Sequence, residues 1–191
     1  MPMRPRVLML AGDFSEDYEV MVPFQTLETL GIKVDVVCPG KKAGQKIKTA
    51  IHDFEGDQTF AERQGHGFTL TADFENINPG VYSGLYITGG RAPEYLRLNP
   101  KVLNITRYFA AHGRPLASIC HGAQILTAAD IVQGKRLTAY EALEPEVKLA
   151  GGIFCRVKPD EAVEDGMLVT APTWMRHPAI LKRFLLKIWQ K

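Results

Sequence analysis

The run Val7-Leu8-Met9-Leu10, which stops at Ala11-Gly12-Asp13, constrains the fold more than any other segment of the chain. A short unbroken apolar stretch closed by turn residues reads as a strand buried on both faces, and the predicted strand covers Arg6 to Leu10. Val20, Phe24, Leu27 and Leu30 then recur at helical spacing, with Gly31 as the stop. Val34 to Cys38 is a second apolar strand, closed by Pro39-Gly40. Strand, helix and strand in this order predict a βαβ unit, with a right-handed crossover and a sheet covered on both sides.

From Gly40 to about Gly80 the pattern loosens. Short pieces around Thr49-Ala50-Ile51 and Phe68-Thr69-Leu70 predict an excursion, a hairpin outside the main sheet. Regularity returns with the strand Gly84 to Ile87, which runs into Thr88-Gly89-Gly90, and with a helix over Pro100 to His112 whose face is Val102, Ile105 and Phe109. A further strand, Pro115 to Ile119, breaks at Cys120-His121-Gly122 into the helical pattern of Ala123, Ile125, Leu126 and Ala129. Arg136 to Thr138, Ile153 to Cys155 and Met167 to Thr170 are strand candidates, the last after an Asp165-Gly166 turn. A closing helix spans Pro178 to Lys187, with an apolar face of Ile180, Leu181, Phe184, Leu185 and Ile188. Strands alternating with helices predict an α/β fold: a three-layer αβα sandwich with a flavodoxin-like, mostly parallel sheet, as one domain over residues 1–191.

Composition narrows the function classes. The chain has 191 residues, 46% of them hydrophobic, enough for a core that needs neither disulfide nor structural metal. Its net charge of +2 argues against a nucleic-acid or anionic-membrane partner, since such proteins carry a concentrated basic excess. Lys41, Lys42, Lys46 and Lys48 are the one local basic cluster and read as a solvated loop. The apolar run after Met1-Pro2-Met3-Arg4-Pro5-Arg6 is too short for a signal-peptide core, and no run reaches membrane-spanning length. Three cysteines, an odd count without a C-x-x-C pair, point to a reducing, cytoplasmic compartment.

Open α/β sheets bind ligands beyond the carboxyl ends of their strands, and three such ends carry chemistry here: Gly12 to Glu19, Gly89 to Glu94, and Cys120 to Gly122. Ser118-Ile119-Cys120-His121-Gly122 turns sharply from strand to helix, the geometry of a nucleophile elbow. Cys120 would then sit at a helix N-terminus, where unpaired amides favour the thiolate, with the His121 amide placed for a developing oxyanion. Ser118 departs from the first glycine of G-x-S-x-G, which counts against a serine-type hydrolase. A buried, inert thiol is the alternative for Cys120, and both readings stand on spacing alone; Cys38 and Cys155 read as packing. Gly89-Gly90 offers unobstructed amides, or simply a turn. Glu16 and Asp17 complement the first helix's dipole, whereas Glu19 lies beside the apolar stripe, where desolvation would raise its pKa and suit it to proton transfer. His52, His66, His112 and His177 lack zinc-site spacing, so no metal is expected, and His177 reads as a cap or packing residue.

Together, Glu16-Asp17-Tyr18-Glu19 with Pro23, Gly89-Gly90-Arg91-Ala92-Pro93-Glu94 and Ala117-Ser118-Ile119-Cys120-His121-Gly122 resemble the PfpI family, which includes intracellular peptidases and the Parkinsonism-associated deglycase. The resemblance covers nearly the whole chain. Cys38-Pro39-Gly40-Lys41-Lys42-Ala43-Gly44 and the stretches Ala50 to Phe54 and Gly65 to Leu70 look most similar to plant members with glutathione-independent glyoxalase activity, which carry two tandem copies of the domain. The resemblance implies Cys120 as nucleophile, Glu19 as its acidic partner and the amides of Gly90 and His121 as the oxyanion site. In peptidase-like members the His121 side chain pairs with a glutamate at the position of Glu94 from a neighbouring subunit, so a homo-oligomer (dimer, trimer or hexamer) is implied. Tyr18, Arg91, Thr173 and Trp174 are pocket-wall residues by resemblance, with packing as the alternative for the last two. The related glutamine amidotransferases need a His-x-Glu pair near the C-terminus, and His177-Pro178-Ala179 does not supply it.

The function so implied is conversion of a small 2-oxoaldehyde, or of a glycated substrate, to a 2-hydroxy acid through a Cys120 hemithioacetal, without cofactor. Two alternatives stand beside it: a cysteine peptidase or amidase using Cys120, His121 and Glu94, and a non-enzymatic redox sensor or holdase with an oxidisable Cys120.

Overall fold

A computed structural model describes residues 4–158 and 161–190; Met1, Pro2 and Met3 of the N-terminal run lie outside the described residues. In chain order the elements are β1 (Arg6–Leu10), β2 (Ser15–Glu16), α1 (Asp17–Thr29), β3 (Lys33–Val37), β4 (Lys46–Ile47), β5 (Thr49–Asp53), β6 (Ala61–Gln64) and β7 (Phe68–Thr69). Next come β8 (Gly84–Ile87), α2 (Ala92–Leu96), α3 (Pro100–Ala111), β9 (Leu116–Ile119), α4 (Ala123–Ala128), β10 (Arg136–Leu137) and α5 (Glu144–Leu149). Finally β11 (Ile153–Phe154), β12 (Val163–Asp165), β13 (Leu168–Ala171) and α6 (His177–Trp189) follow.

The main sheet has six strands in the order β12-β13-β9-β8-β1-β3. All neighbours pair in parallel except β12, which folds back antiparallel on β13 around the Gly166 turn. The five parallel strands follow the flavodoxin-like order, so the strand sequence reverses between β1 and β8, and a crevice is expected beyond their carboxyl ends.

Along β1, Val7 and Met9 enter one apolar layer with Val20 and Leu27 of α1 and Ile180 and Phe184 of α6. Leu8 and Leu10 enter the other, with Val102, Ile105 and Phe109 of α3 and Ile125 of α4. Both faces are dry, which is why the strand shows no polar alternation; each such side chain contributes about 1.5–3 kcal/mol by its burial. Helix α1 begins where the Glu16 carboxylate accepts the Glu19 amide at 2.9 Å and ends at Leu30, with Gly31 at φ 77°. Pro23 lies inside it. Having no N–H, Pro23 gives the Glu19 carbonyl no helical donor.

The excursion between β3 and β8 is real, but its pairing differs from expectation. β5 pairs antiparallel with β6, and β4 with β7, so the pieces around Thr49 and Phe68 belong to two separate ladders. The exposed turn Glu55–Thr59, with Gly56 at φ 99°, reverses the chain before Phe68 is reached. β5 also pairs in parallel with β2, tying the hairpin to the start of α1. Likewise β10 and β11 pair only with each other, outside the main sheet.

Cys38 is buried in the core, and burial pushes its thiol up to about 11. Cys155 is only partly buried: it follows β11 with its Sγ 3.6 Å from the Ile153 carbonyl. Lys41 pairs with Asp13 at 2.9 Å, while Lys42, Lys46 and Lys48 are exposed. Among the described residues no helix is long and apolar enough to cross a membrane.

Candidate active site

Three chain segments meet at the switch point. β8 runs into Thr88-Gly89-Gly90, β9 runs into Cys120, and α1 has Glu16 as its N-cap and Glu19 in its first turn. Cys120 has φ 57°, a left-handed conformation that a non-glycine residue adopts only where its surroundings enforce it. The strand thus breaks abruptly, and the next residues form a single 3₁₀ turn, Cys120–Gly122, before α4.

Gly89 is held between the two reactive groups. Its amide donates to Glu19 Oε2 at 2.7 Å. Glu19 itself is fully buried, and burial, with the Glu16 charge second, raises its carboxyl well above the usual range. Its other oxygen, Oε1, has no hydrogen-bond partner. The Glu19 carboxyl and the Cys120 thiol are neighbours that shift each other's titration, although no aligned Oε1···Sγ hydrogen bond closes in this geometry.

The amides of Gly90 and His121 both reach the Cys120 sulfur and draw its pKa down. They do not prevail. Burial, followed by the Glu19 charge, raises the thiol well above its ordinary value, so the expectation of a favoured thiolate is corrected. The helix behind the elbow, Ala123–Ala128, has six residues and a correspondingly small dipole.

A base stands beside this thiol. Nδ1 of His121 lies 3.4 Å from Sγ, and its ring stacks on Tyr140 at 4.7 Å between centroids. Burial, then the neighbouring His52, lowers His121 to about 4, so the imidazole is neutral near pH 7 and Nδ1 is able to accept the thiol proton. Tyr140 is fixed in turn by its amide, which donates to the Cys120 carbonyl at 3.3 Å.

Over Cys120 lies a small cavity of ≈ 10 Å³, room for about one water. Thr173 and Trp174 line it, whereas Tyr18 and Arg91 are not among its lining residues. Tyr18 is half-exposed with its ring edge against Trp174, and the Arg91 guanidinium is bound bidentately by Glu62 at 2.6 and 2.7 Å. Glu94 is exposed on α2, and among the described residues its carboxylate makes no hydrogen bond to His121. The chain therefore brings together Cys120, Glu19, His121 and the Gly90 amide, and leaves Glu94 outside.

Sequence reasoning missed several members of the site. Glu16, assigned only to the helix dipole, is 2% exposed and lines the cavity, and burial pushes it up to about 7 against the pull of the Glu19 amide. Asp17 is likewise more than a dipole partner. It accepts from the Thr49 hydroxyl and from His66 Nδ1 and N, each of these last at 2.9 Å, and these bonds outweigh burial to hold it below the usual range. His52, Phe54, Phe60 and Tyr140 complete the cavity wall. The alternation of Ala50, His52 and Phe54 against Phe60 and Glu62 was the available signal, since register pairs His52 with Glu62 across the hairpin.

A sequence profile described as the DJ-1/PfpI family matches residues 5–188. The chain belongs to the DJ-1/PfpI family. Among curated DJ-1/PfpI relatives, Protein DJ-1 homolog D of Arabidopsis thaliana is 51% identical over 181 residues, covering 94% of this chain and 47% of the relative. Deglycase PfpI of Pyrococcus furiosus is 32% identical over 178 residues, covering 92% of each. The chain spans about half the length of the Arabidopsis relatives it matches. In fold it is similar to Drosophila melanogaster DJ-1beta, with a TM-score of 0.77 at 20% identity over 97% of this chain and 91% of that one. A ThiJ/PfpI domain protein from Brachyspira murdochii gives 0.78 at 14% identity, covering 99% of each chain.

Proposed function

We propose that the chain converts small 2-oxoaldehydes such as methylglyoxal to 2-hydroxy acids without glutathione, and accepts glycated substrates that release the same fragment. The observation that carries this reading is His121 Nδ1 at 3.4 Å from the Cys120 sulfur, beside a small cavity that the Gly90 loop also lines. His121 takes the Cys120 proton as sulfur bonds to the aldehyde carbon, and hands it to the aldehyde oxygen. The Gly90 and His121 amides stabilise the charge on that oxygen as it develops. In a glycated substrate sulfur displaces the amine from the same carbon, giving the same hemithioacetal.

The next step moves a proton from C1 to C2. His121 removes the C1 proton while protonated Glu19 gives its own to the C2 oxygen, forming an enediol. The pair then works in reverse: His121 returns its proton to C2, and Glu19 takes one from the C1 hydroxyl, leaving a thioester. Water hydrolyses the thioester, releasing the hydroxy acid and the thiol. A raised Glu19 and a depressed His121 suit these opposite starting roles. Relatives named deglycases agree with the class of reaction.

The peptidase reading retains one supporting observation: Glu94 is exposed and so available to a second copy of the chain, which would make the site a property of a homo-oligomer. A cavity of ≈ 10 Å³ must open for either substrate, and a peptide requires the larger opening. A raised thiol pKa weighs against the redox-sensor reading, because oxidation starts from the thiolate. The test is lactate formation from methylglyoxal in the absence of glutathione, with Cys120→Ser and Glu19→Gln variants. Loss of turnover in both supports the mechanism, and full activity in either overturns it.

A further inference from the structure

The cavity above Cys120 is walled on one side by His52, Phe54 and Phe60 of the hairpin. Phe54 and Phe60 are the first and last residues of the connection between β5 and β6, so the hairpin's own geometry aims their rings at the site. Phe60 meets His121 edge-on at 5.9 Å, Tyr140 at 5.7 Å and His52 at 4.7 Å. Phe54 packs on Tyr140 at 6.3 Å from the outer side. The Phe60 pairs are edge-to-face and the Phe54–Tyr140 pair is tilted, all at distances where aromatic rings attract, and they leave room over the sulfur for about one water.

Two polar ties anchor the hairpin, and a contact within it joins them. Trp174 Nε1 donates to the His52 carbonyl at 3.3 Å, and His52 Nε2 and Glu62 Oε2 stand 3.0 Å apart. The same Glu62 carboxylate binds both nitrogens of the Arg91 fork, one residue from the Gly90 amide. Charge-assisted, bidentate pairing gives this contact directionality. The ring that covers the nucleophile and the loop that carries an oxyanion donor are therefore connected through one carboxylate.

We propose that Phe60 is a specificity-determining residue, a ceiling that restricts Cys120 to aldehydes with a small C2 substituent, and that the Glu62–Arg91 pair holds this ceiling at its height. The substrate half of the inference rests on the function proposed above; the accessibility half does not. With room for about one water over the sulfur, every substrate must displace the ring; glyoxal and methylglyoxal require the smaller displacement, an aryl or branched glyoxal the larger.

The test has two readouts on wild type, Phe60→Ala, Phe60→Leu and Glu62→Gln. The first is kcat/KM for methylglyoxal against phenylglyoxal, where Phe60→Ala is expected to shift the ratio about tenfold toward phenylglyoxal, the scale of a hydrophobic-pocket size filter. Phe60→Leu, which keeps an apolar fill, is expected to shift it less, and Glu62→Gln in the same direction as Phe60→Ala. The second readout is alkylation of the Cys120 peptide, followed by mass, with iodoacetamide against fluorescein maleimide. Phe60→Ala is expected to accelerate the bulky reagent far more than the small one.

If both ratios stay at their wild-type values in Phe60→Ala, the ceiling is refuted whatever the catalytic rate. If the alkylation ratio shifts but wild type turns over neither glyoxal, the ceiling stands and the proposed function fails.

Discussion

The Gly89 amide donates to Glu19 Oε2 at 2.7 Å, and a Cβ added at Gly89 would stand 2.5 Å from that same oxygen. It would also stand 2.6 Å from the Cys120 Cβ and 2.9 Å from the His121 amide nitrogen. One position thus sets the spacing of acid, nucleophile and oxyanion donor. Gly89→Ala is expected to cost about 1–3 kcal/mol of stability through overpacking. Its turnover loss should be larger, on the order of a hundredfold, because the displaced groups are the reacting ones. Thermal melts beside initial rates check the prediction; a variant that melts lower yet turns over normally would contradict it.

The buried Glu16 charge helps to keep Glu19 protonated. Gln at position 16 retains an acceptor for the Glu19 amide but loses that charge, so Glu19 should ionise at lower pH. The alkaline limb of the kcat/KM profile is therefore expected to move to lower pH in Glu16→Gln. Stability carries the same signature. Glu16 is raised from 4.5 to about 7, so its contribution is fully present below 4.5 and is lost as pH rises through about 7. The variant should lose less Tm than wild type between pH 5 and pH 8.

Tyr140 supports the His121 ring by stacking on it at 4.7 Å and covers one of its faces. Tyr140→Ala is expected to let His121 rise from about 4 toward its ordinary 6.5, moving the acid limb of the rate profile upward, with kcat/KM falling about tenfold from lost orientation. Tyr140→Phe, which preserves the stacking ring, should behave like wild type. Rate profiles from pH 4 to pH 9 distinguish the two substitutions.

His177 is buried at the start of α6, its Nε2 unpartnered, and burial lowers it from 6.5 to about 4. The unfolded chain binds a proton here that the folded chain refuses, so stability is full above 6.5 and falls as pH drops toward 4. By pH 5 the loss from this one group is about 2 kcal/mol. His177→Phe is expected to narrow the difference in Tm between pH 7 and pH 5. An unchanged difference would show that His177 is not the linked group.

The scaffold was legible because its signals are local. Val7 to Leu10 is apolar without interruption, Gly31 stops a helix whose stripe is plain, and Ile119-Cys120-His121-Gly122 marks an abrupt strand end. Glu19 was legible for the same reason, lying next to Val20 on a stripe that had to turn inward. What stayed hidden depends on contacts distant in sequence. Phe60 reaches His121 and Tyr140 across 61 and 80 positions, and nothing near Phe60 announces either partner. Glu16 looked like an ordinary acidic helix start until the hairpin was seen to cover it through the pairing of β2 with β5. The thiolate expectation failed because helix position was visible in the sequence, whereas the degree of burial around the sulfur was not.

The hairpin that walls the cavity on one side shares no strand with the main sheet. Reactivity and selectivity therefore occupy separately variable parts of the chain. Changes between Phe54 and Phe60 leave β1, β8, β9 and both apolar layers untouched, so the range of accepted substrates is free to drift without a new fold or a new nucleophile.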